Sequence, residues 1–352
     1  MALKRMIKRL LPAYRAAEQV NGRIDCLLSK VEQFEKECKT IQLLNSKIDY
    51  YFLLSQRLID ETEKKTLKRI MNNLPSASGL LRKIQLGENI ILQRIKKICD
   101  ENNIHFFLSD GTLIGAERHH GFIPWDDDID ISIMRDEYEK FEKAITDDDV
   151  IELKHYYCYF NHSVANVTNK VKFKNSDSFF VDVFVYDYIE CTHDEVSNVW
   201  ESYNEISLEF HKNLAEELEK QGLTDFDISG SYIPRSIEMF NSYYKSLYSK
   251  YRSKVDRIGT GEYFCLGFEV SNAFINKIKM LECKHLKKKK KNSIEFEGEK
   301  YDCLNNHIDY LSIQYGDIWQ FPQDITSQHL REIGTLTKED ISILNNYTKK
   351  VD

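Results

Sequence analysis

The fold of this chain is decided by residues 105–133, which read HFFLSDGTLIGAERHHGFIPWDDDIDISI. Asp128 and Asp130 alternate there with isoleucines, and the period of two in a strand points both carboxylates to one face. Two carboxylates on one face repel each other unless a cation lies between them, so we predict a divalent metal site that also holds substrate phosphates. The alternative is a solvated acidic turn ahead of an edge strand.

A strand, a glycine turn and a helix are predicted upstream of these acids. The apolar run 105–108 precedes Asp110, Gly111 and Thr112, after which a helical pattern begins. The first turn of a helix presents free amide groups and the positive end of the helix dipole, which favour phosphate. We therefore expect these three residues to bind a diphosphate donor, and Arg118 to pair with a phosphate oxygen.

A third acid lies in the apolar run SFFVDVFV at residues 178–185, which is typical of a buried strand and carries Asp182 at its centre. A buried carboxylate needs a partner. A metal shared with the two earlier aspartates would supply one. The alternative is an ion pair with Lys170 or Lys172 of the preceding strand.

Several short motifs occur in the same order along this chain as in a known family. They are DGTL at 110–113, Gly115, Arg118, GFIPWDDDID at 121–130, VDVF at 181–184, Asp187, IEFEG at 294–298, Tyr310, YGD at 315–317, Trp319 and Pro322. Together they resemble the LicD family of phosphocholine transferases, whose wider group includes fukutin and fukutin-related protein. The resemblance extends over residues 84–335. One departure lies at residues 302–304, where the family tends to have a turn that contains proline.

The resemblance implies an α+β fold, in which a nucleotidyltransferase-like mixed sheet is flanked by helices. It also implies that Asp128, Asp130 and Asp182 hold Mg²⁺, with Mn²⁺ as the alternative ion, and that Arg118 joins them in catalysis. The acceptor would be a hydroxyl of a surface glycan, free or lipid-linked, and CMP would be released. The donor would be CDP-choline or another CDP-alcohol, and the residues expected to bind it are Asp110, Gly111, Thr112, Trp125 and Lys170.

Two other functions use the same features. A nucleotidyltransferase that moves NMP from an NTP would need the same carboxylates. A coiled-coil adaptor with a degenerate catalytic domain would not need them, and the intact acids at all three positions argue against it.

Composition limits the class of protein. The chain has 352 residues, 30% of them charged, which suits one catalytic domain with an appendage. Its net charge of −7 argues against a nucleic-acid partner. The eight cysteines form no CxxC pair, and no long uncharged apolar run occurs. We therefore expect reduced thiols and a cytoplasmic protein, peripheral at the inner face of the membrane.

The N-terminal region has a different pattern. Apolar residues from 20 to 59 alternate in steps of four and three, with Asn45 at a core position, which predicts a coiled coil and a homo-oligomer. The alternative is a helix that folds back on the catalytic domain or forms a hairpin. Residues 1–16 have an apolar face opposite basic residues, which fits a helix on an anionic membrane surface or an ordinary frayed end.

These patterns give the predicted domain boundaries. They are a basic amphipathic helix at 1–16, a helical coiled-coil region at 17–71, a linker at 72–82 and the catalytic domain at 83–345. Within the catalytic domain, helical spacing from Val196 to Leu218 and from Ile237 to Tyr251 predicts two scaffold helices.

Overall fold

The chain divides into two compact units, Met1–Arg69 and Ile70–Asp352. The predicted helix 1–16 lies outside the residues that the structure describes, and so does most of the segment 20–59. The computed structural model describes residues 30, 33, 36, 44, 48, 51–53, 55–161, 164–222, 235–236, 241–255, 262–270, 280–283, 286, 292–320 and 336–348.

In the first unit, polar contacts fix the turn that precedes helix α1 (Glu63–Asn72). The guanidinium of Arg69 lies 2.7 Å from a carboxylate oxygen of Glu61 and donates to the carbonyl of Gln56 at 2.6 Å. The hydrogen bond from Arg69 is the main reason why the pKa of Glu61 falls to about 2. The helix itself runs on into the second unit.

The second unit contains both helices and strands. The helices are α2 (Gly79–Asn102), α3 (Asp110–His119), α4 (Arg135–Thr146), α5 (Val196–Lys220), α6 (Asn241–Arg252), α7 (His307–Tyr315) and α8 (Lys338–Thr348), and a 3₁₀ turn covers His193–Glu195. The strands are β1 (Phe106–Leu108), β2 (Asp130–Met134), β3 (Ile151–Asn161), β4 (Val164–Phe173), β5 (Phe180–Ile189), β6 (Arg235–Ser236), β7 (Tyr263–Leu266), β8 (Leu281–Glu282), β9 (Ser293–Phe296) and β10 (Glu299–Asp302). None of the helices among the described residues has the length and apolar character needed to cross a membrane.

The described strands form one eight-stranded mixed sheet and one small hairpin. The main path is β1-β2-β5-β4-β3-β6, and β7 pairs with β5 and with β8. Only β2 and β5 are parallel; the other pairs are antiparallel, and β9 and β10 form the separate hairpin. The predicted mixed sheet flanked by helices is therefore confirmed, as is the predicted order of strand, turn and helix at β1 and α3.

Helix α2 covers one face of the sheet with an apolar stripe. Ile84, Ile91 and Ile95 are fully buried, because their spacings of seven and four residues keep them on one side of the helix. Gly87 lies on the same side, and a Cβ atom there would overlap the ring of Phe179, which is itself fully buried. The glycine thus permits a close approach of α2 to the segment that leads into β5.

Helices α5 and α6 build a second apolar cluster, and the two predicted scaffold helices are confirmed. The ring of Phe210 lies 5.2 Å from that of Phe268 and 5.8 Å from that of Tyr251. Tyr244 packs against Phe210 and Tyr157, at centroid distances of 6.2 and 5.0 Å. The aromatic stripe therefore serves packing.

A buried charge network ties α4 and α6 to the sheet. The carboxylate of Asp187, fully buried in β5, lies 3.0 Å from Arg135 and 2.8 Å from Arg252. Arg135 also pairs with Glu269 at 2.6 Å. Because each buried charge meets an opposite charge, the cost of removing the four groups from water is offset.

We expect Gly87→Ala to destabilise the second unit. Alanine in a helix interior normally stabilises by about 1 kcal/mol over glycine, but the overlap with Phe179 should outweigh this and cost about 1–3 kcal/mol net. Urea denaturation measures the difference, and Gln93→Ala on the exposed side of the same helix is the control, expected to be close to neutral. Equal or greater stability of Gly87→Ala would contradict the close approach.

Candidate active site

The predicted acids meet near the starts of the parallel strands β2 and β5. Oxygen atoms of Asp128, Asp130 and Asp182 all lie within 4.8 Å of one another, and the same holds for Asp126, Asp127 and Asp128. Asp130 and Asp182 are each 9% exposed. The structure therefore brings together the three residues that the sequence assigns to the metal, and Asp128 belongs to both groups.

The pairing of the strands explains why these acids converge. Asp130 is the register partner of Asp182 across the parallel pair β2 and β5, and Asp182 is the register partner of Lys170 across β5 and β4. Directly opposite residues share one face of a sheet, so the three side chains form a row. Asp128 is not part of this row, because β2 begins only at Asp130. The prediction that Asp128 lies in the strand is therefore wrong, although its carboxylate still reaches the group from the preceding loop.

The start of α3 holds Asp130 from the side. The amide of Gly111 donates to Oδ2 of Asp130 at 3.1 Å, and the amide of Asp130 donates to Oγ1 of Thr112 at 2.7 Å. A Cβ atom on Gly111 would lie 3.1 Å from Oδ2 of Asp126, so a side chain there would crowd the acids. The Gly111 amide is thus engaged by a protein carboxylate, and a phosphate-binding role of this turn remains a prediction.

Burial and mutual repulsion make the acids reluctant to ionise together. Burial raises the pKa of Asp130 well above its usual range, and the charges of Asp128, Asp110 and Asp182 raise it further. The pKa of Asp126 is raised in the same way, by burial and then by Asp128 and Asp127. A set of close carboxylate oxygens that repel each other is the donor set that suits a hard divalent cation. The residues present therefore fit the predicted metal.

Lys170 supplies a positive charge within the row. Its ammonium group lies 3.1 Å from Oδ2 of Asp182 and 3.4 Å from the centre of the Phe180 ring. Lys172, the other lysine considered from the sequence, instead contacts Asp177 and Glu152. Asp182 thus takes part in both arrangements considered from the sequence, the ion pair and the acid group.

Two tyrosines from α7 contact the predicted donor-binding residue Asp110. The hydroxyls of Tyr315 and Tyr310 donate to its Oδ1 at 2.7 and 3.3 Å. The backbone of Asp110 has a φ of 45°, in the left-handed region. Burial raises the pKa of this carboxyl, although the tyrosine hydrogen bonds oppose the shift. The sequence identified the YGD motif that contains Tyr315 but gave no sign that its helix packs on Asp110.

Arg118 lies near Trp125, which directly precedes the acid loop, residues 126–129. Arg118 is 5% exposed, donates to the carbonyl of Ile318 at 2.7 Å, and has its guanidinium carbon 6.0 Å from the centre of the Trp125 ring. Burial lowers its pKa to about 10, while the charge of Asp126 opposes the shift. Arg118 therefore stays cationic at neutral pH, and its pairing with a substrate phosphate remains a prediction.

Two polar residues of α2, Gln85 and Glu88, lie near the acid loop, and we did not predict them. Gln85 donates to the carbonyl of Asp126 at 2.8 Å. Glu88 is fully buried, and neither of its carboxyl oxygens has a hydrogen-bond partner among the described residues. Burial raises its pKa well above the usual range, and Asp128, Asp127 and Asp126 raise it further. The only sequence feature that could have indicated Glu88 is its position on the inner, apolar face of the helix.

The hairpin of β9 and β10 anchors the other end of the acid loop. Glu297, at the turn of the hairpin, accepts from Arg82 at 2.7 Å and from the amide of Phe122 at 3.3 Å. A Cβ atom on Gly115 would lie 2.5 Å from the carbonyl oxygen of Gly121, so α3 and the loop touch through their backbones. The chain that leads to the acids is therefore fixed on both sides.

Residues 103–230 match the family model described as the LicD/FKTN/FKRP nucleotidyltransferase domain. This part of the chain is therefore similar to the LicD-family domain. It is 26% identical over 281 residues to the lipopolysaccharide cholinephosphotransferase LicD of Haemophilus influenzae, a match that spans 72% of this chain and 97% of that protein. The predicted resemblance to the LicD family is thereby confirmed.

Shorter matches occur to two uncharacterized rickettsial proteins. One, from Rickettsia typhi, is 38% identical over 55 residues, which is 16% of this chain and 18% of that protein. The other, from Rickettsia prowazekii, is 43% identical over 47 residues, or 13% and 18% of the two chains. These matches are too short to carry an argument about the LicD domain as a whole.

We expect Glu88→Gln to stabilise the protein relative to wild type as pH rises, in the absence of divalent cations. The pKa of Glu88 is raised in the folded state, so its folded form keeps a proton that the unfolded chain loses above about pH 4.5. Wild type therefore loses stability with rising pH through this group, whereas glutamine does not titrate. The difference should be small near pH 4 and largest near pH 8.

Urea denaturation of both proteins at several pH values in EDTA measures this. Glu101→Gln, an exposed position on the same helix, is the matched control and should show no such pH dependence. A difference between Glu88→Gln and wild type that stays constant from pH 4 to 8 would contradict the protonated state of Glu88.

Proposed function

We propose that this protein transfers a phospho-alcohol, in first place phosphocholine, from a CDP-activated donor to a hydroxyl of a surface glycan and releases CMP. The observation that carries the proposal is the convergence of Asp130 and Asp182, on two parallel strands, with Asp128 from the loop before β2, within the region that matches the LicD family model. The similarity to the Haemophilus influenzae lipopolysaccharide cholinephosphotransferase supports the choice of choline and of a glycan acceptor.

The three carboxylates would hold Mg²⁺, or Mn²⁺ in its place. A cation bound there would neutralise negative charge on the diphosphate of the donor. The remaining work of the site is positioning and electrostatic stabilisation. Lys170 and Arg118 are the nearest cationic side chains described at the site, and both are candidates to face the phosphate oxygens as charge builds up on them.

The reaction also needs a group that takes the proton of the acceptor hydroxyl. In our proposal the hydroxyl oxygen attacks the phosphorus of the donor, the bond to CMP breaks, and a carboxylate outside the metal-holding set accepts the proton. Asp126 fits this role, because it adjoins Asp128 but does not belong to the group of Asp128, Asp130 and Asp182. Burial, and then the charges of Asp128 and Asp127, raise the pKa of Asp126, as a general base requires.

The proposal also includes a membrane surface and a second copy of the chain as partners. A lipid-linked acceptor would bring the protein to an anionic membrane surface, which residues 1–16 would contact. A homo-oligomer would form through residues 20–59. Both segments are largely outside the described part of the chain.

A second candidate is a nucleotidyltransferase that moves NMP from an NTP. The matched family model describes a nucleotidyltransferase domain, which favours this second reaction. The two reactions differ in their released product, which is CMP in the first and pyrophosphate in the second. Purified full-length protein incubated with Mg²⁺, a soluble oligosaccharide and either CDP-choline or CTP separates them. A parallel set of CDP-ethanolamine, CDP-glycerol and CDP-ribitol tests the alcohol.

We expect Asp130→Asn or Asp128→Asn to lower the rate of CMP release from CDP-choline by about 100-fold or more, because each removes a metal ligand. Without metal, the stability of either variant should hold or rise, because a repelling charge is gone. Asp136→Asn, an exposed acid at the start of α4, is the control and should keep the wild-type rate. If a folded Asp130→Asn protein turns over near the wild-type rate with Mg²⁺, the metal assignment is wrong.

A further inference from the structure

A cysteine, a histidine and a glutamate form a chain of contacts away from the acid group. Cys303 follows β10, and His307 is the first residue of α7. The sulfur of Cys303 lies 3.9 Å from Nδ1 of His307, and Nε2 of His307 lies 3.0 Å from Oε2 of Glu117 on α3. Cys303 also falls in the 302–304 segment that departs from the family pattern.

The hydrogen bonds of His307 define what the cysteine can do. A carboxylate only accepts, so Nε2 of His307 carries the hydrogen that is donated to Glu117. In the neutral imidazole, Nδ1 is then bare and can take the proton of the Cys303 thiol. The contacts with Cys303 and Glu117 raise the pKa of His307 to about 9 against the effect of burial, so once Nδ1 has taken the thiol proton the imidazolium persists at neutral pH. A neighbouring imidazolium favours the thiolate, which is the nucleophilic form of cysteine.

Cys303 differs from the other cysteines whose surroundings the structure describes. Cys99, Cys191, Cys265 and Cys283 are buried, whereas Cys303 is partly exposed. Burial raises the pKa of Cys99 to about 12, which keeps that thiol protonated and inert. Cys303 instead lines a cavity of about 140 Å³, together with residues that include His105 and Asn292. A small molecule therefore has room to reach its sulfur.

We propose that Cys303 is a reactive thiol that small peroxides oxidise to a sulfenic acid, with His307 as its base and Glu117 as the residue that positions His307. The thiol proton passes to Nδ1 of His307, and the sulfur attacks one peroxide oxygen. The O–O bond breaks, the sulfur is oxidised, and the leaving hydroxide takes the proton from Nδ1 to form water when the peroxide is hydrogen peroxide. The peroxide is the only oxidant required.

The cluster lies at one end of the helix pair α3 and α7, and Asp110 lies at the other end. Helix α3 contacts α7 through Asp110 and Tyr315 near its first residue and through Glu117 and His307 near its last. The chemistry of Cys303 uses none of the acid residues. The proposal therefore stands or falls independently of the proposed transferase activity.

The test exposes the full-length protein to hydrogen peroxide at pH 7 in the presence of dimedone, which traps sulfenic acid, and follows the adducts by mass spectrometry. Trypsin separates Cys303 from Cys99, because Lys97 and Arg118 bound the peptide of Cys99. We expect the Cys303 adduct to form about tenfold or more faster than the Cys99 adduct, because only Cys303 combines access with a base.

Two variants distinguish activation of the Cys303 thiol by His307 from simple exposure of the thiol to solvent. His307→Gln should slow the Cys303 adduct by about three- to tenfold, and Glu117→Gln should slow it by less, because the histidine remains but loses its anionic partner. Adduct formation at Cys99 should be unchanged in both, and thermal unfolding confirms that each variant is folded. Equal rates at Cys303 and Cys99 in wild type, or an unchanged Cys303 rate in a folded His307→Gln protein, would overturn the proposal.

Discussion

Mutual repulsion among buried carboxylates is the constraint on which this structure depends. Carboxylate oxygens of Asp128, Asp130 and Asp182 lie within 4.8 Å of one another, as do those of Asp126, Asp127 and Asp128. Asp127, Asp130 and Asp182 are buried, and the other two acids are half-buried. Left alone, such a group would push its members apart or force them to bind protons. The fold opposes this with a backbone amide at the start of α3, with the Lys170 ammonium and with loop contacts from two other elements. These contacts hold the group together, and a divalent cation would complete the neutralisation.

The ion pair of Lys170 and Asp182 and a metal site at the same acid do not exclude each other. The register of β4, β5 and β2 places Lys170, Asp182 and Asp130 side by side on one face, with one positive and two negative charges. The ammonium offsets one carboxylate, and the row still carries a net negative charge to which Asp128 adds. An arrangement of this kind, with an ammonium group beside several carboxyl groups, is compatible with assembly without metal and with the donor set that a divalent cation requires.

Local sequence patterns predicted the elements that carry the site. The apolar run and glycine turn around Asp110 gave β1 and α3, the buried acid in residues 178–185 gave β5, and helical spacing gave α5 and α6. Each of these signals has a period or a turn residue that acts over a few positions. The sequence also indicated which acids would meet, because two acidic strands of one sheet bring their side chains to a common face when they are neighbours.

The contacts missed by the sequence all join residues that are far apart in the chain. Tyr315 reaches Asp110 across 205 positions, and Arg82 reaches Glu297 across 215. No local period records such a pair, because it is fixed by how whole elements pack. Glu88 is a second example. A glutamate on the inner face of a helix is rare, and only the packed structure reveals that it lies near further acids. The acids of the candidate site were thus predictable from strand and turn patterns, whereas the residues that contact them depend on tertiary packing.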